Sequence, residues 1–206
     1  MKKGKSTGAK RLVKGLEAAG AEVIFAYPGG ANLPIYEALA RSGIKTILAR
    51  HEQGAAHMAD GYARAGGRPG FCMATSGPGA TNLVTGIATA YMDSSPVIAI
   101  TGQVSRNMIG NDAFQEVDIT GITIPITKHN YLIQQPEDIL PALEEAIYLA
   151  TTGRKGPVLL DITKDSQQAE LSIENEVRKP LEGYAPTIQG HAGQIKRAAA
   201  LISEAK

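Results

Sequence analysis

Two runs near the middle of the chain, Gly70–Thr75 and Pro96–Thr101, are apolar at every position up to a closing threonine. A strand wetted on one face alternates apolar and polar residues; these runs do not. Both of their faces therefore need cover, the condition met by central strands of a parallel sheet with helices above and below. Glu22–Ala26, Lys45–Ala49 and Pro157–Ile162 read as strands of the same kind, through their unbroken apolar stretches Val23–Ala26, Ile47–Ala49 and Val158–Leu160. Between the runs lie segments with apolar residues at helical spacing: Ala9, Leu12, Val13, Leu16 and Ala19, then Leu33, Ile35, Tyr36, Leu39 and Ala40, and later Leu140, Leu143, Ala146, Ile147 and Ala150. Strands that alternate with helices predict an α/β fold, a parallel sheet of about six strands with helices on both faces.

Punctuation agrees with this pattern. Ser6 and Thr7 can cap the first helix and Gly20 can end it. Pro141 suits the first turn of the helix at Leu140–Thr152, and Gly153 its C-cap. Ile124–Tyr131 is ambiguous, because Pro125 removes a strand donor. Residues 102–123 form a long polar loop, and loops of that length in compact domains are usually functional. Residues 1–167 read as one domain and 168–187, marked by Pro180 and Pro186, as a linker. Residues 188–206, with Ile195, Ala198, Ala199 and Ile202, read as the first helix of a domain cut short, since a lone helix cannot bury its apolar face.

A net charge of +1 without a basic stripe argues against nucleic acid as a partner. The single cysteine, Cys72, cannot form an internal disulfide and fits a reducing compartment. No apolar run has the length of a membrane span, and Met1–Lys5 leads into no apolar signal region, so no membrane partner and a cytoplasmic location are expected.

Chemistry should gather where strands end, because ligands bind at the carboxyl edge of open α/β sheets. Four such ends deliver Pro28-Gly29-Gly30-Ala31, Arg50-His51-Glu52-Gln53, Ser76-Gly77-Pro78-Gly79-Ala80-Thr81-Asn82 and Thr101-Gly102-Gln103. The long loop adds Asn111–Glu116. Glu52 falls where a strand, expected to be buried, hands over to a helix of small residues, Gly54, Ala55, Ala56 and Ala59. By position alone it is a carboxylate complementing a helix dipole. The turn at Ser76 fits neither dinucleotide nor Walker patterns, Pro78 removes a donor, and tight helix–strand packing would also explain it. His51, His57, His129 and His191 lack metal-ligand spacing, and Ser76 lacks a nucleophile-elbow context.

Taken together and in this order, these stretches closely resemble the N-terminal pyrimidine-binding (PYR) domain of thiamine-diphosphate enzymes, and among them the large subunits of acetolactate synthases. Ala26–Ala31, Arg50–Gly54, Ala74–Asn82, Ala90–Ser94, Ile100–Val104, Met108–Glu116, Thr127–Tyr131 and Gly153–Asp161 carry the resemblance. It implies a thiamine-diphosphate carboligase that decarboxylates pyruvate and joins the two-carbon unit to pyruvate or 2-oxobutyrate, in branched-chain amino acid synthesis. A glutamate matching Glu52 bonds the aminopyrimidine N1′ and, by sharing a proton there, favours the imino form that activates the thiazolium C2. A desolvated carboxyl group suits that exchange, and the small apolar neighbours of Glu52 are compatible with one.

The resemblance further implies that Pro78, Asn82 and Gln115 lie near the cofactor and that Gly30 supplies a backbone donor. It puts Ala31, Ser105, Phe114 and Lys128 along a substrate channel, and Ser94 and Arg154 at FAD. Three have a plainer reading: Ser94 a cap or turn residue, Arg154 a cation at a helix C-terminus, Phe114 core. Ser105 stands where this family often has proline. The Gly-Asp-Gly…Asn motif that holds Mg²⁺ is absent from the 206 residues. The implied whole is a homodimer or tetramer with a small regulatory subunit, Mg²⁺ ligands in a C-terminal domain and FAD mostly on a central domain. The chain alone is then expected to be inactive. Alternatives are a sibling such as sulfoacetaldehyde acetyltransferase or another 2-oxoacid decarboxylase, and a non-catalytic dimerisation module.

Overall fold

The computed structural model describes residues 5–172, 181 and 183–205. The chain opens with β1 (Lys5–Thr7) and α1 (Gly8–Ala18), whose first turn is capped by the Thr7 side chain accepting from Lys10 N–H. Alternating elements follow: β2 (Val23–Ala26), α2 (Leu33–Leu39), β3 (Lys45–Leu48), α3 (Glu52–Gly66) and β4 (Gly70–Ala74). Next come α4 (Pro78–Thr81), α5 (Val84–Met92), β5 (Val97–Gln103), α6 (Ile119–Thr123), β6 (His129–Ile133), α7 (Ile139–Thr151) and β7 (Val158–Thr163). The remaining elements are α8 (Lys164–Gln168), β8 (Glu170–Ser172) and α9 (Ala192–Glu204).

Six strands form one parallel sheet in the order β3-β2-β4-β5-β7-β6. The continuously apolar central strands divide their side chains between two faces. Phe71 and Met73 of β4 and Ile98 and Ile100 of β5 meet Leu12 and Leu16 of α1, Ile35 of α2 and Leu143 of α7. Cys72, Ala74, Val97 and Ala99 face Ala55, Ala56 and Ala59 of α3 and Ile87 and Ala90 of α5. The second layer is built of small residues, so helices and sheet approach closely. A Cβ on Gly86 would fall 2.3 Å from the Cβ of Ala56, and one on Gly70 would fall 2.0 Å from the carbonyl oxygen of Ala59.

Several expectations are corrected. The strand before Glu52 is not buried: β3 is an edge, and Leu48 is 63% exposed. Edges carry partners on one side only, a property of strand order that apolar composition does not report. Ala19 is exposed, because it follows the last turn of α1. The helix expected after Gly79 is two, α4 and α5, broken at Asn82-Leu83. The ambiguous stretch at Pro125 resolves into a 3₁₀ turn, Ile124–Ile126, followed by β6. The long loop, expected to be irregular throughout, contains a 3₁₀ turn at Arg106–Met108 and the short α6. Within the stretch read as linker, β8 pairs antiparallel with β1 and ties the end of the domain to its start; residues 173–180 and 182 lie outside the described residues. Helix α9 has no buried residue.

Candidate functional site

From β2 the chain steps sideways to β3, then crosses back over to β4 on the other side. Such a reversal opens a crevice at the C-terminal ends of the two strands beside it, β2 and β4. The loop Tyr27–Asn32 follows β2 there, and the turn Thr75–Gly77 follows β4. Glu52 enters from the side as the first residue of α3, whose N-cap, His51, accepts from Gln53 N–H at 3.1 Å. The cap sets where the helix begins, and so places the carboxylate in its first turn.

Glu52 is 8% exposed. Its Oε2 accepts from Asn82 Nδ2 at 3.0 Å. Its Oε1 lies beside Gly79, where a Cβ would fall 3.3 Å from it and 2.8 Å from Thr75 Cγ2. The turn thus comes against the carboxylate through a residue without a side chain. Tyr36 of α2 feels the same carboxylate: burial, reinforced by the charge of Glu52, raises its hydroxyl pKa. Among the described residues that hydroxyl has no hydrogen-bond partner.

The Gly29–Ala31 loop is pinned from three sides, by the turn after β4, by α8 and by β5. Ala31 N–H donates to Thr75 Oγ1 at 3.2 Å, and its carbonyl accepts from Gln167 Nε2 at 2.9 Å. A Cβ on Gly102, on β5, would sit 2.4 Å from that carbonyl oxygen. Asn32 Oδ1 accepts from Gly29 N–H at 2.9 Å. Gly30, in between, is exposed, with open space where a side chain would stand.

Pro78 opens α4 and is exposed. Before it, Gly77 adopts φ +59 and packs on the backbone of Gln115; a Cβ there would lie 2.5 Å from the Gln115 carbonyl oxygen. Gln115 is itself left-handed at φ 57. Phe114 is 84% exposed, and not core. Ser105 leads into the Arg106–Met108 turn, accepting from Met108 N–H at 2.8 Å. Glu52, Gly30, Ala31, Pro78, Asn82, Ser105, Phe114 and Gln115 are therefore all delivered to one edge of the sheet.

Three expected residues stand at the opposite edge. Ser94 and Arg154 precede β5 and β7, and lie together: Arg154 Nε donates to Ser94 Oγ at 2.9 Å, with its guanidinium 5.8 Å from the Tyr91 ring centroid. Lys128 precedes β6, and its ammonium donates to the carbonyls of Leu149 and Thr152 and to the Tyr184 hydroxyl. It caps the C-terminal end of α7. Within one chain, then, Lys128 is separated from Glu52 by the length of the strands.

Sequence reasoning passed over Thr75, Gln167 and Tyr36. Thr75 was only the end of a strand, Gln167 only the end of a domain. The one available signal for Tyr36 was its place one helical turn after Asn32.

Residues 6–122 match the family model described as "Thiamine pyrophosphate enzyme, N-terminal TPP binding domain". The chain belongs to this family. The match to the thiamine pyrophosphate enzymes takes in the whole Glu52 edge, from Gly30 to Gln115, together with Ser94; Lys128 and Arg154 lie beyond it. The chain is 57% identical over 202 residues to a probable acetolactate synthase large subunit of Methanocaldococcus jannaschii, covering 97% of this chain and 34% of that protein. Similar values hold for the acetolactate synthase large subunit of Corynebacterium glutamicum, 56% identical across 97% of this chain and 32% of the relative. The chloroplastic acetolactate synthase of Arabidopsis thaliana is 55% identical, across 97% and 30%. The chain spans about a third of the length of these relatives. Among the described residues, no helix is long and apolar enough to cross a membrane.

Proposed function

We propose that this chain is the pyrimidine-binding part of an acetolactate-forming carboligase, with pyruvate as donor and pyruvate or 2-oxobutyrate as acceptor. The observation that carries the reading is the buried Glu52 carboxylate, held by Asn82 on one oxygen and, on the other, beside Gly79 with no donor among the described residues. These residues fit an aminopyrimidine: a cradle kept free of a side chain at Gly79, next to a carboxyl oxygen with no protein donor among the described residues. When bound, thiamine diphosphate supplies the acidic carbon centre and electron sink that decarboxylation of a 2-oxo acid requires.

The chain supplies proton handling and positioning. Glu52 Oε1 would hold or release a proton toward a ring nitrogen placed beside it, from a carboxyl group only 8% exposed, where exchange with solvent competes little. Asn82 fixes the plane of the carboxyl group so that Oε1, and not Oε2, faces the cradle. The pinned Gly29–Ala31 loop presents the Gly30 backbone as a preorganised donor for developing negative charge. Pro78 and Gln115 flank the ring site, and Ala31, Ser105 and Phe114 line the approach to it.

Lys128 reaches such a channel only from a second copy, because its own sheet separates it from its own Glu52. This supports a homodimer, or a tetramer, of the full-length subunit; a small regulatory subunit completes the reading. Ser94 and Arg154 contribute to an FAD site built mostly by a central domain, residues 1–167 being the pyrimidine-binding domain, 168–187 the linker and 188–206 the start of that central domain. Mg²⁺ is held by a further domain, and the whole is a cytoplasmic enzyme of branched-chain amino acid synthesis.

The test is Glu52→Gln in the full-length protein, assayed for acetolactate formed from pyruvate. General acid–base roles are worth about 10²–10⁴-fold, and a loss of that size is expected with thermal unfolding unchanged. Turnover near that of the parent protein overturns the reading.

A further inference from the structure

The loop between β5 and α6 folds around one side chain. Glu116 Oε1 accepts from Gly110 N–H, and Oε2 accepts from Ala113 N–H at 2.9 Å. One carboxylate thus gathers amides six and three residues upstream and closes residues 110–116 into a ring. The same donors, Gly110 first and Ala113 second, hold the Glu116 carboxyl below its ordinary pKa, as bonds to the charged form should.

Inside this ring the backbone takes unusual conformations. Gly110 is at φ 80, Asp112 at φ 51 and Gln115 at φ 57. Residues with a Cβ adopt positive φ infrequently, and they keep it where the surroundings impose it. For Gln115 two constraints are visible. On one side its neighbour Glu116 is drawn back to Gly110 and Ala113. On the other, the Gly77 Cα rests on its backbone, with no room for a side chain between them. The Gln115 main chain is clamped between its own loop and the turn that carries Pro78 and Gly79.

We infer that Glu116 is a positioning residue which, acting through the backbone of Gln115, keys this loop onto the Ser76–Gly79 turn and so sets where Phe114 and Gln115 stand at the rim of the crevice. The inference rests on the reading of that crevice as the cofactor and substrate site. It assigns to an outlying carboxylate a part in the reaction that requires no contact with substrate.

The experiment compares Glu116→Ala and Glu116→Gln with the parent in the full-length protein, by amide hydrogen exchange and steady-state kinetics on pyruvate. In Glu116→Ala, exchange at Gly110 and Ala113 should accelerate at least about tenfold, because the bonds that close the ring are gone, while protection in β4 and β5 holds. With thermal stability unchanged, kcat/KM should fall at least about tenfold, the scale of losing preorganisation at a site. Glu116→Gln keeps one acceptor oxygen and should recover part of both losses. Unchanged exchange at Gly110 and Ala113 overturns the inference, and so does faster exchange with kcat/KM within about twofold of the parent. Glu52→Gln, run alongside, separates the two failures. If it leaves turnover intact, the reading of the crevice falls and this inference with it; if it abolishes turnover while Glu116→Ala does nothing, the inference alone is lost.

Discussion

Asn82 Nδ2 donates to Glu52 Oε2 across 3.0 Å, joining residues thirty positions apart on two different crossovers of the sheet. One closes the short helix after β4; the other opens the helix after β3. Their meeting turns a first-turn carboxylate, common on any helix, into a buried group with one oxygen committed and one available.

Removing that donor should therefore cost both function and stability. A hydrogen bond to a charged group is worth about 1.5–3 kcal/mol, or about ten- to a hundredfold in rate. Asn82→Ala is expected to lower acetolactate formation by about that factor and to lower the thermal unfolding midpoint by a few degrees, since it leaves a buried carboxylate oxygen unpaired. Asn82→Asp should be worse still, because it sets a second carboxylate against the first. Kinetics and unfolding on the same preparations check both.

Gly70→Ala should fail to fold or be severely destabilised. The new Cβ would sit 2.0 Å from the Ala59 carbonyl oxygen and 2.7 Å from its carbon, backbone atoms that no rotamer change can move. Helix α3, which carries Glu52, would have to lift off β4, a larger disturbance than the about 1–3 kcal/mol of ordinary overpacking. Gly61, on the exposed side of the same helix, has open space at its Cβ position. There alanine should stabilise the chain by about 0.5–1 kcal/mol, through lower backbone entropy in the unfolded state. Denaturant midpoints of the two variants should move in opposite directions.

Asp161 should make stability fall as pH rises. It is buried in β7, with Thr101 Oγ1 donating to it at 2.7 Å and Gln103 Nε2 at 2.9 Å. Burial outweighs these donors and pushes its carboxyl up to about 7. A folded-state pKa above the unfolded one means that the native state binds more protons between the two values. The charged form then costs stability that is absent below about pH 4, grows up to about pH 7 and levels off beyond it, a few kcal/mol in all. In Asp161→Asn the amide can donate to Thr101 Oγ1 while its oxygen still accepts from Gln103. The gap in unfolding midpoint between variant and parent should thus shift in the variant's favour from pH 4 to 7. A gap independent of pH would show that Asp161 stays charged in the fold.

Local physics made much of the architecture legible. Runs without alternation marked the central strands; capping residues and glycines marked helix ends, since both act within one turn of the chain. The strand-end stretches that hold Gly30, Glu52, Pro78 and Asn82 were legible for the same reason, each following a recognisable strand at short range, whereas the part given to Gly30, Pro78 and Asn82, and Gln115 altogether, came from the family resemblance alone. Hidden from such reading were contacts that depend on distant partners: the hold of Gln167 on Ala31, the carboxylate of Glu116 inside its loop, and the pairing of β1 with β8.

What the amino-acid sequence determined by itself is the order of elements and the chemistry at their ends, because periodicity, capping and turn preference are properties of neighbouring residues. Tertiary structure decided which ends meet. Strand order left β3 an exposed edge although Ile47 and Leu48 are apolar, brought Asn82 to Glu52 and Gly77 to Gln115, and sent Lys128, Ser94 and Arg154 to the far side of the sheet. Those outcomes turn on how α3 and α5 pack over β4 and β5, an energy summed over residues far apart in the chain, which no local pattern encodes.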